Sequence, residues 1–195
     1  MPISTSVGSK GEDILKSYTM IFTETKLKGA HIIDMTPIQD ERGFFARTFC
    51  EKEFAQHGLE TNFVQGNASR SRDQFTLRGM HFQTNGSEEV KVIRCVRGRI
   101  QDVIIDLRKD SETYCQWIAV ELSEDNKRML YVPRGFAHGF LTLEEDCEVA
   151  YMVSAFYDPT NERGVRYNDP AFGIEWAAEP VVLSEKDGKH EDYIK

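Results

Sequence analysis

Three residues set in otherwise apolar stretches carry chemistry that a packed core does not need. His81 lies in LRGMHFQ (77–83), Lys91 opens KVIRCV, and Tyr151 lies in CEVAYMV. An imidazole titrates near neutrality, as a general base should, and a phenol is a weak acid able to return a proton from another direction. An ammonium group in the same cavity would stabilise an oxyanion developing between them. Together these are the parts needed to abstract a proton beside a carbonyl and to reprotonate the carbon on its opposite face, the chemistry of epimerisation. Gln65, Asn67, Arg78, Asp102 and His138 also fall within or at the ends of strand-like segments. A single inward polar residue is ordinarily satisfied inside a core. A set of them describes a pocket, because burying each charge unpaired would cost about several kcal/mol.

A metal reading of the same residues is weaker. PRGFAH (133–138) would deliver His138 into a barrel as a late ligand, but the first hairpin offers Gln83 where a second histidine is required and places Lys91 downstream, where a cation repels a metal. Spacing therefore predicts no metal site and no cofactor.

The elements that must position these groups read as strands. After GAHIIDMTPIQDERGFFARTF, two strands around a Gln-Asp-Glu-Arg-Gly turn, and a short helix in CEKEFAQHGL closed by Gly58, come eight strand candidates. They recur at about 8–12 residues between turn signals, the pattern of an all-β sandwich or barrel. VRGRIQDVIIDL joins two β-branched runs through a glycine turn, with Asp102 interrupting the second. An antiparallel jelly roll accommodates so many strands while leaving few edges.

The 195 residues suit a single domain at 27–195, with Met1 to Lys26 as a flexible or peripheral extension. The net charge of −8 disfavours a nucleic-acid surface, and no apolar run approaches the roughly 18 residues of a membrane span. The N-terminus has no signal-peptide core, and the four cysteines are widely spaced, which predicts free buried thiols and a cytoplasmic protein.

DERGFFARTF, FVQGNASRS, LRGMHFQ, VKVIRCVRGRIQDVIIDLRKDS, ELSEDNKRMLYVPRGFAHGFLTL, YNDPAFGIEW and LSEKD, taken in order, closely resemble the motifs of the dTDP-4-dehydrorhamnose 3,5-epimerases. These are metal-independent cupins acting on nucleotide-linked 4-keto sugars. The resemblance spans Gly29 to Asp187 and implies a cupin jelly roll, an isomerase, and roles at the matching positions. His81 would be the base, with Asp187 holding its imidazole, and Tyr151 the acid. Lys91 and His138 would sit near the keto oxygen or hydroxyls, with Asp102 orienting His138. Arg78 would meet the diphosphate, and Gln65 and Asn67 would line the sugar and nucleotide pocket. Phe156 and Glu162 would approach the base, Phe156 by stacking. Arg42, Phe44 and Phe45 would lie on an N-terminal strand exchanged across a homodimer, completing the neighbour's site.

The chain departs from the family pattern at Gly66 and Ala68, where QGNAS stands for a common QDNHS, at Met152 in place of a frequent lysine, and at Phe156 in place of a tyrosine. These changes are expected around the pocket. They leave epimerisation intact while opening the nucleotide, the sugar and the number of inverted centres. A mono-epimerase is thus the nearest alternative. A nucleotide-sugar binding cupin without turnover is another, opposed by the joint presence of His81, Tyr151 and Asp187.

Overall fold

A computed structural model describes residues 19–194. Two antiparallel sheets are stacked face to face. The first has the order β1 (Ile21–Glu24), β2 (His31–Asp34), β10 (Arg128–Val132), β7 (Lys91–Arg97), β12 (Cys147–Val153), β5 (Gln65–Ser71). The second runs β13 (Glu162–Gly164), β6 (Thr76–Gln83), β11 (Phe136–Thr142), β8 (Arg99–Asp106), β9 (Trp117–Ser123), with β14 (Val182–Leu183) pairing parallel to β6. A detached hairpin, β3 (Ile38–Asp40) and β4 (Gly43–Phe45), and two short helices, α1 (Glu51–Gln56) and α2 (Glu185–Gly188), complete the described residues. The expected jelly roll is the fold.

Apolar residues explain the layering. Ile93, Ile104 and Leu130 point between the sheets, whereas their strand neighbours Val92, Ile105 and Met129 point outward into further clusters. The outer face of the first sheet is covered by α1 through Phe54, and that of the second by the segment carrying Phe172, Trp176 and Tyr193. β8 is consequently buried on both faces, which is why VIID reads as a continuous run instead of an alternation.

Two sequence expectations need correction. Thr36 and Pro37 divide the first expected strand into β2 and β3, since proline has no N–H to give a ladder. The folded body also begins earlier than residue 27. Met20 is buried, its N–H donates to the Glu53 carboxylate at 2.8 Å, and Ile21–Glu24 pair with β2. The rest of the expected extension, residues 1–18, lies outside the described residues.

Candidate active site

β6 is the element around which the site forms. Gly79 has φ +126°, and a Cβ there would lie 2.5 Å from Cα of Gly139 on β11, so only glycine permits this approach. The register slips at that point, and beyond it His81 pairs directly with His138. Cross-strand partners project to the same face, so both imidazoles enter the space between the sheets.

Asp187 arrives from far along the chain. β14 lies on β6, and Ser184 then caps α2 by accepting the Asp187 N–H at 3.0 Å, an S-x-x-D capping arrangement that fixes the aspartate at the third helical position. Its carboxylate reaches His81 Nε2 at 2.6 Å and accepts the Gly79 N–H at 3.3 Å. Burial pushes the Asp187 carboxyl upward, but the hydrogen bond and charge of His81, with Gly79 and Ser184, bring it net below the usual range. A second pair stands beside it, with His138 Nε2 2.5 Å from Asp102 Oδ1 and Asp102 fully buried.

The facing sheet supplies the other groups. Tyr151 pairs with Asn67 on β5 and with Ile93 on β7, and Lys91 begins β7. Burial and then the negative charge of Glu89 raise the Tyr151 phenol, with Arg78 opposing them, so it remains protonated at neutral pH. Lys91 is itself held by Glu89 at 2.8 Å, and Gln83 donates to the other Glu89 oxygen at 3.1 Å. Gln83, which spoiled the metal spacing, is therefore a buried strut for that carboxylate.

Two adjoining cavities meet at His81, Lys91 and Tyr151. The larger, about 480 Å³, is also lined by Arg78, His138, Ser69, Lys186 and Asp187. The smaller, about 290 Å³, is lined by Gln65, Asn67, Glu89, Tyr157 and Glu162. The anticipated base and acid thus border one space from opposite sheets, with a cation and the Arg78 guanidinium at its walls. Asp102 lies behind His138 and not on the wall.

Other expected residues are not gathered here. Phe156 is 70% exposed, and the aromatic ring beside Glu162 is that of Tyr157, whose hydroxyl donates to it at 2.9 Å. Glu162 is further held by Lys186 at 2.5 Å. Arg42 pairs with Asp40 on the hairpin, where Phe44 is 56% and Phe45 63% exposed, away from both cavities. The family departures also face elsewhere. Along β5, Gln65, Asn67 and Ser69 turn inward, whereas Gly66 and Ala68 are exposed on the outer face. Gly66 pairs across the strands with Met152, and both border an outer groove with Thr48 and Met129. The expectation that these changes line the pocket is corrected by the two-residue alternation of a strand.

One site-adjacent residue escaped sequence reasoning altogether. His190 stacks edge-on to His81, ring centroids 6.4 Å apart, and one ligand atom from each of His81, Asp187 and His190 lies within 4.8 Å of the others. Burial, and then His81, lower its imidazole below the usual value. A lone histidine in a charged terminal segment, KHEDY, gives no periodic signal.

Residues 24–194 match the family model described as dTDP-4-dehydrorhamnose 3,5-epimerase. The dTDP-4-dehydrorhamnose 3,5-epimerase of Methanothermobacter thermautotrophicus is 46% identical over 169 residues, covering 85% of this chain and 90% of its own. Among solved structures, the Bacillus anthracis dTDP-4-dehydrorhamnose 3,5-epimerase with TDP and PPi bound superposes with a TM-score of 0.87 at 40% identity, over 90% of this chain and all 100% of that one. The Legionella pneumophila dTDP-6-deoxy-D-glucose-3,5-epimerase in complex with dTDP-4-keto-L-rhamnose gives 0.85 at 37% identity, over 89% and 93%.

Proposed function

Because this chain belongs to the dTDP-4-dehydrorhamnose 3,5-epimerase family, we propose that it inverts C3 and C5 of a dTDP-linked 4-keto-6-deoxy sugar by proton abstraction and reprotonation. The observation that carries this reading is the placement of His81 and Tyr151 on opposite sheets around one cavity. A carbon acid held between them loses its proton to one wall and regains it from the other.

With Nε2 engaged by Asp187, the free nitrogen of His81 is Nδ1, and this is the base. Removal of the proton next to the C4 ketone leaves an enolate, whose oxygen Lys91 stabilises. Tyr151 delivers a proton to the opposite face and is reprotonated from water. Arg78 pairs with the diphosphate, for which a guanidinium fork is suited, and Gln65 and Asn67 hydrogen-bond the sugar end. His138, oriented by Asp102, donates to a sugar hydroxyl.

The active form in this reading is a homodimer in which Arg42, Phe44 and Phe45 of one copy complete the site of the other. The exposure of both phenylalanines on a hairpin unpaired with either main sheet supports it. A cytoplasmic location is supported by free thiols at all four cysteines.

The test is incubation with dTDP-4-keto-6-deoxyglucose in D2O, followed by proton NMR of the sugar. Exchange and inversion at C3 and C5 are expected, and loss of both in His81→Ala with the fold intact. Exchange at one centre makes the protein a mono-epimerase; none, with substrate still bound, makes it a binding cupin.

A further inference from the structure

His190 has a buried Nε2 with no hydrogen-bond partner among the described residues. A buried imidazole nitrogen without a partner is costly, and structures rarely leave one so without a use. Its position is built. Gly164 is the direct cross-strand partner of His81, and a Cβ at Gly164 would lie 2.1 Å from His190 Nε2. Glycine at this place opens the slot through which the second imidazole reaches the His81–Asp187 pair.

We propose that His81, Asp187 and His190 form an inhibitory binding site for a zinc-class divalent cation. Two imidazoles and one carboxylate are a three-ligand set that borderline cations favour, with a fourth position left to water or a substrate oxygen. The repulsion expected from the neighbouring Lys91 and Lys186 is offset by their ion pairs with Glu89 and Glu162. At ordinary Zn–N and Zn–O bond lengths of about 2.0–2.1 Å, tetrahedral ligands sit about 3.3 Å apart. The 2.6 Å His81–Asp187 contact must widen slightly and His190 must close from within 4.8 Å. These are side-chain movements, and the segment from residue 189 to 194 belongs to no helix or strand.

The inhibition follows from proton bookkeeping. In the metal-free pair the Nε2 proton of His81 is donated to Asp187, leaving the Nδ1 lone pair as base. A cation taking the place of that proton binds Nε2, and the neutral imidazole then carries its proton on Nδ1. The base has no lone pair left; its single proton has moved from Nε2 to Nδ1 by exchange with water, so the imidazole stays neutral and metal entry releases no net proton from it. This second part rests on the assignment of His81 as base; metal binding itself does not.

The experiment uses the full chain, stripped with a chelator, in two arms. Zinc chloride titrated by calorimetry without substrate is expected to bind one per chain. In the D2O exchange assay, a stoichiometric excess of zinc is expected to suppress turnover at least about tenfold, with recovery on EDTA addition. His190→Ala, and His190→Phe as a variant that keeps the ring in its slot, should bind zinc at least about tenfold more weakly and lose the suppression, whatever their own turnover. Absence of stoichiometric binding, equal zinc affinity in both variants, or equal binding of magnesium would overturn the site. Binding as expected but without suppression would leave the metal site standing and refute the base assignment instead.

Discussion

Asp187 and His81, 106 residues apart in the chain, meet at 2.6 Å through Nε2 of the imidazole, and this contact decides which ring nitrogen is available for chemistry. A carboxylate accepts only, so Nε2 carries the proton and Nδ1 the lone pair. The orientation is enforced twice, because the same carboxylate also takes the Gly79 N–H and its own backbone is tied to the Ser184 cap.

Replacing Asp187 by asparagine should therefore hurt rate more than binding. The amide can offer N–H to Nε2, which selects the tautomer protonated on Nδ1, the wrong one for a base. By analogy with aspartates that orient catalytic histidines, kcat should fall by about 10²–10⁴. KM should change by less than about threefold. Steady-state kinetics checks the split, and a KM rise as large as the kcat loss would mean that Asp187 merely supports the cavity wall.

Tyr151→Phe separates the two half-reactions. The base is untouched, so solvent deuterium should still enter at the carbon that His81 deprotonates and reprotonates. Inverted product should fall by at least about 100-fold, the usual scale of a lost general acid. NMR reports both quantities in one sample, and parallel loss of exchange and inversion would remove Tyr151 from the acid role.

Much of this arrangement is legible in the chain itself. The hairpin turns, the short strands and the polar residues interrupting them point to a jelly roll with a polar interior, and His81 stands out because LRGMHFQ is apolar on both sides. What stays hidden depends on contacts between distant segments. Asp187 is joined to His81 in the sequence only by the family resemblance, and the physical reason is visible only when β14 is seen beside β6; Glu89 looks like a loop acid until Lys91 and Gln83 are found on it. The misplacement of Gly66 and Ala68 is of another kind. Alternation along β5 could have shown that they cannot share a face with Gln65 and Asn67. Met20 and Ile21–Glu24 stay hidden because a four-residue edge strand with mixed polarity carries too short a pattern to register.

Gly79→Ala tests the backbone approach on which the histidine pair depends. The new Cβ would meet Cα of Gly139 at 2.5 Å and the His138 carbonyl oxygen at 2.9 Å, neither of which can yield by a side-chain rotation, and the φ of +126° is disfavoured for alanine. Overpacking and strain together should cost about 3 kcal/mol or more. Urea unfolding measures this, and a loss under about 1 kcal/mol would mean that β6 and β11 separate easily.

Acid should weaken the protein through Asp106, which lies outside the site. Its buried carboxyl would be raised by burial, but Arg108, Ser111 and Thr113 all bond to it and bring it down to about 2. A carboxylate with a depressed folded value contributes stability that is complete above the unfolded value near 3.9, and loses it as pH falls toward the folded value. The contribution is of order 2 kcal/mol at neutral pH, since each tenfold change in proton affinity is worth about 1.4 kcal/mol. Asp106→Asn should lower the unfolding free energy by about that amount at pH 7. The gap between the two proteins should then close between about pH 4 and pH 2, where the wild-type carboxyl gains its proton and comes to resemble the amide. Urea titrations at intervals across that range check the sign, and a gap that is constant with pH would show that the bonds to Asp106 do not depend on its charge.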